Sequence, residues 1–507
     1  MTTHKKLRTI IAAMTAAGIL CAMPAGFAAE ATPTAAAQPA AQTATAAPAE
    51  TTSKPFAAVR VGKKWGAVTP SGNLAIPAEY DEISSYSADA VAVRKGKTWG
   101  IVRLDGTVIV PAIYKAIHPL AADTIIVQNT KDMYGAYDTA GNVLLPVEYR
   151  SVTPFYDGIS RVERKDKKFV FYRRDGSLLT SDAYLWASRF SEGLAVVEPT
   201  KNKMGYIDTN GSEAIPVRFE NAMIFQEGLA PVAVKKKWGF IDKSGTMVIQ
   251  PQFRAKSIGG FSDGLAMIKE KKHWAFIDKT GAKVIQTRYE DVDSFENGLA
   301  EVRREVKVGL LGGFLTSAVS FATGIPTFGV GTDLIGEKVK RGYIDKTGAE
   351  IISTKNDYNS FFMDGVALVR VKSKWGMVDR KGAYVVEPKY KGIHFFYGDL
   401  AAVQDGDKWG FVGRDGKIVI EPKYDEVHDF TDGIAAVRQG GKSFFIDKTG
   451  RVPFLLPNNI TDIGMFRDGF APVKIGDKWG FIDKKGNIAI APTYAEVRTH
   501  QVTTDSL

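Results

Sequence analysis

The stretch Lys237-Trp-Gly-Phe-Ile-Asp-Lys-Ser-Gly245 decides the fold, because the chain repeats it. The same pattern returns as Lys478-Trp-Gly-Phe-Ile-Asp-Lys-Lys-Gly486, and Lys408-Trp-Gly-Phe-Val412 is a shorter match. Repetition at a fixed period is the signature of a repeat architecture. We therefore expect an array of one small unit in place of several unrelated domains.

The Trp-Gly position recurs about twelve times, at intervals of 34 to 36 residues. The interval from Trp274 to Arg341 is 67 residues, which is one period plus an insertion of about 33 residues. Seven of the eight tryptophans stand at this position and are expected to form the structural core of the repeat: Trp65, Trp99, Trp238, Trp274, Trp375, Trp409 and Trp479. Degenerate copies begin at Tyr134, Phe169, Met204, Arg341 and Ser443.

Fifteen residues after this position comes an aromatic residue, except in the copies at Arg341 and Ser443. The ten aromatic residues are Tyr80, Tyr114, Tyr149, Tyr184, Phe219, Phe253, Tyr289, Tyr390, Tyr424 and Tyr494. A Phe-x-x-Gly turn, such as Phe225 to Gly228, introduces most units.

One unit can be interpreted from its alternating and β-branched residues. Residues 229–234 and 238–242 predict two strands joined by a lysine turn, and 242–245 predict a hairpin in which Asp242 begins the turn and Gly245 is left-handed. Residues 246–249 predict a third strand, which Pro251 should end. The sequence thus predicts an all-β chain of about twelve three-stranded antiparallel meanders.

Such a meander buries its large side chains only by stacking on its neighbours. The motif glycine is expected to let a backbone or a ring approach where a Cβ would clash. Because propellers usually close with four to eight blades of four strands, we expect an open, superhelical, solenoid-like array. The alternative is propeller-like rings. The tryptophans are expected to pack, with a row of sugar-stacking aromatics as the alternative.

The strings at 237–245, 478–486 and 408–412 resemble the bacterial Trp-Gly repeat family, also called KWG repeats. The resemblance covers residues 56 to about 498. It implies a β-rich module, often on exported proteins, with no general catalytic role.

The N-terminus has the order of a secretory signal. Lys5, Lys6 and Arg8 precede an uncharged run that ends in small residues, so we expect a signal peptide at 1–28 in preference to a retained anchor, and an exported protein that is periplasmic, cell-surface or secreted. Its removal lowers the formal net charge of +10 to about +7 and removes Cys21, the one cysteine. Residues 29–53, rich in Ala, Thr and Pro, predict a disordered tether. Repeats are expected at 54–303 and 339–498, and a tail at 499–507.

The insertion at 304–338 contains an uncharged stretch, 308–332. Its length suits a membrane span, but both of its ends return to one unit, so we expect no transmembrane helix in the mature chain. An apolar loop of this kind would contact a partner or a membrane surface peripherally, or pack on neighbouring units. Its candidate interaction residues are Leu310, Leu311, Phe314, Leu315, Phe321, Ile325 and Phe328.

Lysines fill the turn before the Trp position in most units. If units stack in register, these turns form a basic ridge that an anionic polymer could follow, although charged turns also serve solubility and edge protection. The candidate ridge residues are Lys63, Lys64, Lys95, Lys97, Lys235, Lys236, Lys237, Lys271, Lys272, Lys372 and Lys374.

The sequence shows no catalytic or cofactor motif. The six histidines lack metal-ligand spacing, and no phosphate loop, nucleophile elbow or dinucleotide fingerprint is present. We therefore expect no enzyme, no cofactor, no metal and no nucleic-acid partner. The main hypothesis is an envelope scaffold that binds protein partners. The alternative is a module that binds glycan or an anionic envelope polymer through the lysine ridge.

Overall fold

The structure, a computed structural model, describes residues 57–305 and 339–499, which belong to one compact unit. These residues form twelve small antiparallel sheets, here called blades 1 to 12, and the described part contains no helix. The expected signal and tether, residues 306–338 of the expected insertion and the tail beyond 499 lie outside the described residues.

Each blade holds one Trp-Gly position on its third strand. Blade 1 contains β1 (Ala57–Val61), β2 (Lys64–Val68) and β3 (Leu74–Tyr80). Blade 2 contains β4 (Glu82–Ser85), β5 (Ala90–Lys95), β6 (Thr98–Arg103) and β7 (Val108–Tyr114). Blade 3 contains β8 (Ala116–Ile117), β9 (Thr124–Gln128), β10 (Tyr134–Asp138) and β11 (Val143–Tyr149). Blades 4 to 6 contain β12 (Ser151–Val152), β13 (Ile159–Glu163), β14 (Phe169–Arg173); β15 (Trp186–Ala187), β16 (Leu194–Thr200), β17 (Lys203–Asp208), β18 (Glu213–Phe219); and β19 (Asn221–Ala222), β20 (Ala230–Val234), β21 (Lys237–Ile241), β22 (Met247–Phe253).

The second half continues in the same order. Blades 7 to 9 contain β23 (Ser257–Ser262), β24 (Leu265–Glu270), β25 (His273–Ile277), β26 (Lys283–Gln286); β27 (Asp291–Val292), β28 (Leu299–Glu305), β29 (Val339–Asp345), β30 (Glu350–Ile352); and β31 (Tyr358–Met363), β32 (Val366–Val371), β33 (Lys374–Asp379), β34 (Tyr384–Tyr390). Blades 10 to 12 contain β35 (Gly392–Ile393), β36 (Leu400–Asp405), β37 (Lys408–Gly413), β38 (Ile418–Tyr424); β39 (Glu426–Val427), β40 (Ile434–Gln439), β41 (Lys442–Asp447); and β42 (Ile460–Ile463), β43 (Phe470–Ile475), β44 (Lys478–Asp483), β45 (Ile488–Tyr494). The last strand, β46 (Glu496–Thr499), belongs to blade 1.

The expected all-β repeat array is confirmed, but the unit has one strand more than we predicted. Ten of the twelve described sheets have four strands, because a short first strand follows the aromatic residue of the preceding unit. In blade 6 this strand is only Asn221–Ala222. A strand of two residues has no periodicity to detect.

The last strand of each unit also departs from the prediction. In blade 6 it does not end before Pro251 but continues to Phe253, with a register shift between Phe240 and Trp238. Because this strand is the edge of its sheet, a proline at an irregular pairing costs no ladder hydrogen bond there.

The ends of the chain close the array. β46 pairs with β1 in antiparallel register from Arg60↔Glu496 to Ala57↔Thr499, so the C-terminus supplies the first strand of blade 1. Ala57, Val59 and Val68 of blade 1 also share a hydrophobic cluster with Phe481 and Ile490 of blade 12. The array is therefore one propeller-like ring of twelve blades. This is the alternative arrangement, and the expected open superhelix is wrong.

The core lies between blades. One cluster joins Val196 and Tyr206 of blade 5 to Phe225 and Val232 of blade 6, and similar clusters join the other neighbours. An aromatic residue two positions after the motif residue meets the phenylalanine of the next blade's first turn. Ring centroids lie 4.7 to 5.2 Å apart in Phe171–Phe190, Tyr206–Phe225, Phe240–Phe261, Phe276–Phe295, Tyr343–Phe362, Phe411–Phe430 and Phe445–Phe466. Neighbouring blades therefore bury each other's aromatic side chains.

Degenerate motifs alter the blades locally. The copies at Phe169 and Ser443 give the two three-stranded sheets of the described part, blades 4 and 11. Blade 8, where Arg341 replaces the tryptophan, keeps a short fourth strand.

Candidate functional site

Each strand runs from one edge of the ring to the other, so the turns between strands lie on two different edges. Because antiparallel strands alternate in direction, the turns between second and third strands share one edge, here called the turn edge. The first turns and the Asp-Lys-x-Gly hairpins share the opposite edge, here called the hairpin edge. The candidate lysine ridge lies on the turn edge.

The motif residue lies at the turn edge, opposite the aromatic residue fifteen positions later. The fourth strand places these residues directly across from each other in Trp65↔Tyr80, Trp99↔Tyr114, Tyr134↔Tyr149, Met204↔Phe219, Trp238↔Phe253, Trp375↔Tyr390, Trp409↔Tyr424 and Trp479↔Tyr494. Trp65, Trp274 and Trp375 are buried, and the other four motif tryptophans are half-buried. The indoles thus pack within and between blades.

Charged side chains cover most of the indole faces. The cross-strand neighbour of the tryptophan is a cation in Arg60–Trp65, Arg94–Trp99, Lys269–Trp274, Arg370–Trp375 and Lys474–Trp479, with the charged group 4.7 to 5.9 Å from the ring centre. His394 packs against Trp409 at 5.0 Å. Trp238 differs, because its cross-strand partner is Ala233. Five of the seven motif indoles therefore have a cross-strand cation near the ring.

The motif glycine permits close approach of the fourth strand. A Cβ on Gly239 would lie 2.4 Å from the Ile249 carbonyl oxygen, and one on Gly410 would lie 2.4 Å from that of Ile420. The backbone is therefore what requires glycine here.

The eleven predicted ridge lysines lie on the turn edge. Ten are exposed and Lys237 is half-buried. Lys64 pairs with Asp81 at 2.6 Å and Lys95 with Glu79 at 2.9 Å; the described residues offer the other nine no ion pair. The ridge is therefore partly neutralised in blades 1 and 2.

The positive charge is concentrated in blades 4 to 7, which we call the basic sector. Its four consecutive turns carry ten lysines: Lys165, Lys167, Lys168, Lys201, Lys203, Lys235, Lys236, Lys237, Lys271 and Lys272. The corresponding turns of blades 10 and 12 carry Asp405, Asp407 and Asp477. The turn lysines are thus most numerous in one sector, although Lys63, Lys97, Lys372 and Lys374 of other blades also have no ion pair among the described residues.

The acids of the basic sector are engaged elsewhere. Glu220 accepts hydrogen bonds from the backbone N–H groups of Lys235 and Lys236, at 3.0 and 2.8 Å, and so fixes their left-handed turn. Asp166 pairs with Arg164, and Glu270 pairs with Lys283. The ten lysine ammonium groups therefore have no ion-pair partner among the described residues.

Two exposed apolar residues adjoin these turns, and no repeat pattern in the sequence indicates them. Trp186, the tryptophan outside the repeat position, is 37% exposed, and its neighbour Leu185 is 46% exposed. The Leu185 N–H donates to the Glu198 carbonyl at the turn-edge end of β16. Both residues therefore lie beside the turn that carries Lys201 and Lys203.

Several charges of the hairpin edge are paired between neighbouring blades. Ion pairs join five hairpin bases to an acid of the preceding blade: Lys243–Glu192, Lys279–Glu227, Lys448–Asp399, Lys484–Asp432 and Arg414–Asp364. Backbone N–H groups add to this: Gly264 donates to Glu227 and Gly469 to Asp432. These contacts hold adjacent blades together and leave this edge less available for a charged ligand.

The recurring aspartates act in the hairpins. Asp278 accepts from the hydroxyl of Thr280 and the N–H groups of Thr280 and Ala282, and Asp447 has the matching set from Thr449 and Arg451. The threonine hydroxyl, more than any other group, holds the pKa of each carboxyl below its usual value. These aspartates shape turns.

Blade 8 gathers a charge cluster that the sequence did not suggest. Arg303 binds Asp291 at 2.7 Å, Asp293 at 2.5 Å and Glu301 at 2.8 Å, and Arg341, in the tryptophan position, reaches Glu301 at 3.1 Å. Burial raises the pKa of Asp293. The cluster is internally paired and serves to join three strands of the blade.

Three of the six histidines share one position of the repeat. His118, His394 and His428 occupy one repeat position, and His394 Nδ1 lies 2.9 Å from Asp429 Oδ1 of the next blade. No group of three or more potential metal ligands occurs in the described residues.

The insertion leaves blade 8 at the turn edge. β28 ends at Glu305 and β29 begins at Val339, and the two pair as one hairpin, so residues 306–338 replace the turn as expected. Leu310, Leu311, Phe314, Leu315, Phe321, Ile325 and Phe328 lie outside the described residues. Among the described residues, no helix has the length and hydropathy of a membrane span.

Several solved structures are similar at low identity. They are BamB from Moraxella catarrhalis (12% identity, 59% of this chain and 94% of that chain, TM-score 0.29), a structure titled eukaryotic initiation factor (11%, 79% and 95%, 0.30) and PorZ, a surface component of the type-IX secretion system of Porphyromonas gingivalis (10%, 86% and 80%, 0.24). No curated protein sequence matches the chain.

The family comparison is decisive. The model for the WG containing repeat matches eleven segments: 65–99, 99–130, 134–169, 204–238, 238–272, 274–305, 342–375, 375–409, 409–442, 444–479 and 479–499. The copy at Phe169, which has lost both motif residues and the fourth strand, is the one left out. With more than half of its residues matched and one motif on each blade, the chain belongs to the WG-repeat family.

Proposed function

We propose that this protein is an exported, non-catalytic scaffold of the cell envelope that binds a partner protein. The signal-like N-terminus supports export. The repeated surface of the ring supports binding, since it offers the same kind of contact from many blades.

The observation that carries this proposal is a set of apolar side chains on the fourth strands. Eight blades expose one or two large apolar residues there, each 39 to 60% exposed: Leu74, Val108, Ile113, Val143, Val248, Val284, Tyr384, Ile418, Val419 and Ile488. Single exposed apolar residues are ordinary, but their repetition on the fourth strand of most blades creates a multivalent surface. A protein with apolar side chains fits it better than a polar polymer.

The same strands are protected against simple strand addition. Pro111, Pro146 and Pro251 lie within them and remove backbone donors from the sheet edge. The partner should therefore contact side chains in preference to extending the sheet.

Affinity capture from an envelope extract tests the proposal. Val108→Ser with Val143→Ser should abolish capture of a protein that the unaltered chain retains at both low and moderate salt. Val61→Ser is the matched control, because Val61 is 48% exposed but lies at the end of a second strand. Equal loss with both variants would contradict a fourth-strand surface. Deleting 308–332 asks separately whether the insertion contributes to the contact.

Export has its own test. N-terminal sequencing of the protein recovered from an envelope or secreted fraction should begin near residue 29. Recovery of the intact N-terminus in the cytoplasm would overturn export while leaving the binding proposal open to the capture experiment.

A second candidate function is recognition of glycan or an anionic envelope polymer by the turn lysines. The basic sector favours it, because unpaired ammonium groups in consecutive turns suit a repeating anion. Loss of binding between low and moderate salt would support this function, whereas salt-insensitive binding would favour the apolar contact.

A further inference from the structure

The basic sector combines charge with apolar exposure across four consecutive blades. Its lysines have no ion-pair partner among the described residues, whereas hairpin-edge bases such as Lys243 and Lys279 are paired. Trp186 and Leu185 lie at the same edge and within the same four blades. A ligand for this surface must therefore satisfy both kinds of group.

The combination distinguishes a lipid surface from a soluble polymer. Lysine ammonium groups are attracted to the negative surface of an anionic leaflet, and tryptophan prefers the boundary between headgroups and acyl chains. Leu185 can neither stack on a sugar nor form a hydrogen bond through its side chain, but it gains free energy on entering the acyl region. An anionic polymer explains the lysines alone, and a bilayer explains all three features.

We infer that the turn edge of blades 4 to 7 is a docking site for an anionic phospholipid bilayer, with the turn lysines facing the headgroups and Leu185 and Trp186 entering the interface. This contact goes beyond the proposed protein scaffold, which uses the fourth strands. Since it requires no protein partner, its success or failure is independent of the capture experiment.

The first test is sedimentation of the purified protein with vesicles. Equimolar phosphatidylglycerol and phosphatidylcholine should bind the protein, and phosphatidylcholine alone should not. A lysine beside an anionic leaflet contributes about fivefold to partitioning, so Lys236→Gln with Lys271→Gln should lower binding about thirtyfold. The matched control is Lys381→Gln with Lys485→Gln, exposed hairpin-edge lysines without described ion pairs, which should change binding less than about twofold, since neither faces the leaflet.

The second test asks whether the indole of Trp186 enters the bilayer interface. Brominated phosphatidylcholine mixed with phosphatidylglycerol should quench part of the tryptophan fluorescence, and Trp186→Phe should remove most of that quenching. Far-UV circular dichroism checks that each variant keeps its strands.

Three outcomes would overturn the inference. One is equal binding to neutral and anionic vesicles, and another is an equal loss with the two lysine pairs. The third is lysine-dependent binding to a soluble polyanion such as polyphosphate with no binding to anionic vesicles, which would assign the sector to a polymer.

Discussion

Phe276 of blade 7 and Phe295 of blade 8 meet edge to face, with ring centroids 4.7 Å apart and an interplanar angle of 64°. Both rings are fully buried. Equivalent ring pairs are in contact at six further blade junctions, so this kind of contact contributes to cohesion at seven of the twelve junctions.

Truncating one ring should therefore be costly. Phe295→Ala should lower the free energy of unfolding by about 3–5 kcal/mol, the usual range for a buried phenylalanine, measured by denaturant unfolding. A cycle with Phe276→Ala should give a coupling of about 0.5–1.5 kcal/mol. Phe361, which is 54% exposed, is the control and should change stability by less than about 1 kcal/mol. Additive effects at 276 and 295 would contradict a direct contact.

The motif glycine should not tolerate a methyl group. Gly239→Ala places a Cβ 2.4 Å from a backbone oxygen, which cannot move without breaking the pairing of β21 with β22. We expect a loss of about 2 kcal/mol or more in thermal or denaturant unfolding. Gly259→Ala is the comparison, since its Cβ would first meet the flexible Met267 side chain at 3.0 Å. Equal losses would show that backbone crowding is not what the motif avoids.

Ring closure should depend on β46. A chain ending at Tyr494 loses the pairing with β1 and the hydrogen bond from Ala495 N–H to the Arg60 carbonyl. We expect a lower melting temperature and self-association, because β1 becomes a free sheet edge. A chain ending at Thr499 keeps the strand and should melt like the full chain. Identical melting of both truncations would argue that the ends are not joined.

Acid should weaken the hairpins. Hydrogen bonds, above all from the threonine hydroxyls, lower the pKa of Asp278, Asp345 and Asp447 in the folded protein. A depressed folded-state pKa stabilises the protein above the unfolded value of about 3.9, and this stability disappears as pH falls through the folded pKa. Melting temperature should therefore fall below about pH 4. Replacing all three residues by Asn should flatten this dependence, and an unchanged acid slope would exclude these carboxyls as its source.

Features encoded within one repeat unit could be predicted from the sequence, and features that depend on neighbouring strands could not. The constant spacing of Trp238 and Phe253 was visible in the sequence, whereas their direct pairing across two strands is seen only in the structure. The turn and hairpin positions were correct because Asp and Gly encode them locally. Blade 8's Arg303 cluster and the position of Trp186 beside the lysines could not be predicted, since each depends on which strands become neighbours.

The sequence by itself determined the repeat, the β class and the positions of the turns, because these follow from side-chain alternation and turn chemistry within one unit. Only the tertiary structure decided that the array closes, that most blades gain a fourth strand and which turn lysines lack an ion-pair partner. Closure depends on Arg60 and Glu496 meeting from opposite ends of the chain, after the small rotations between successive blades have added up to a full turn. No single unit encodes that sum.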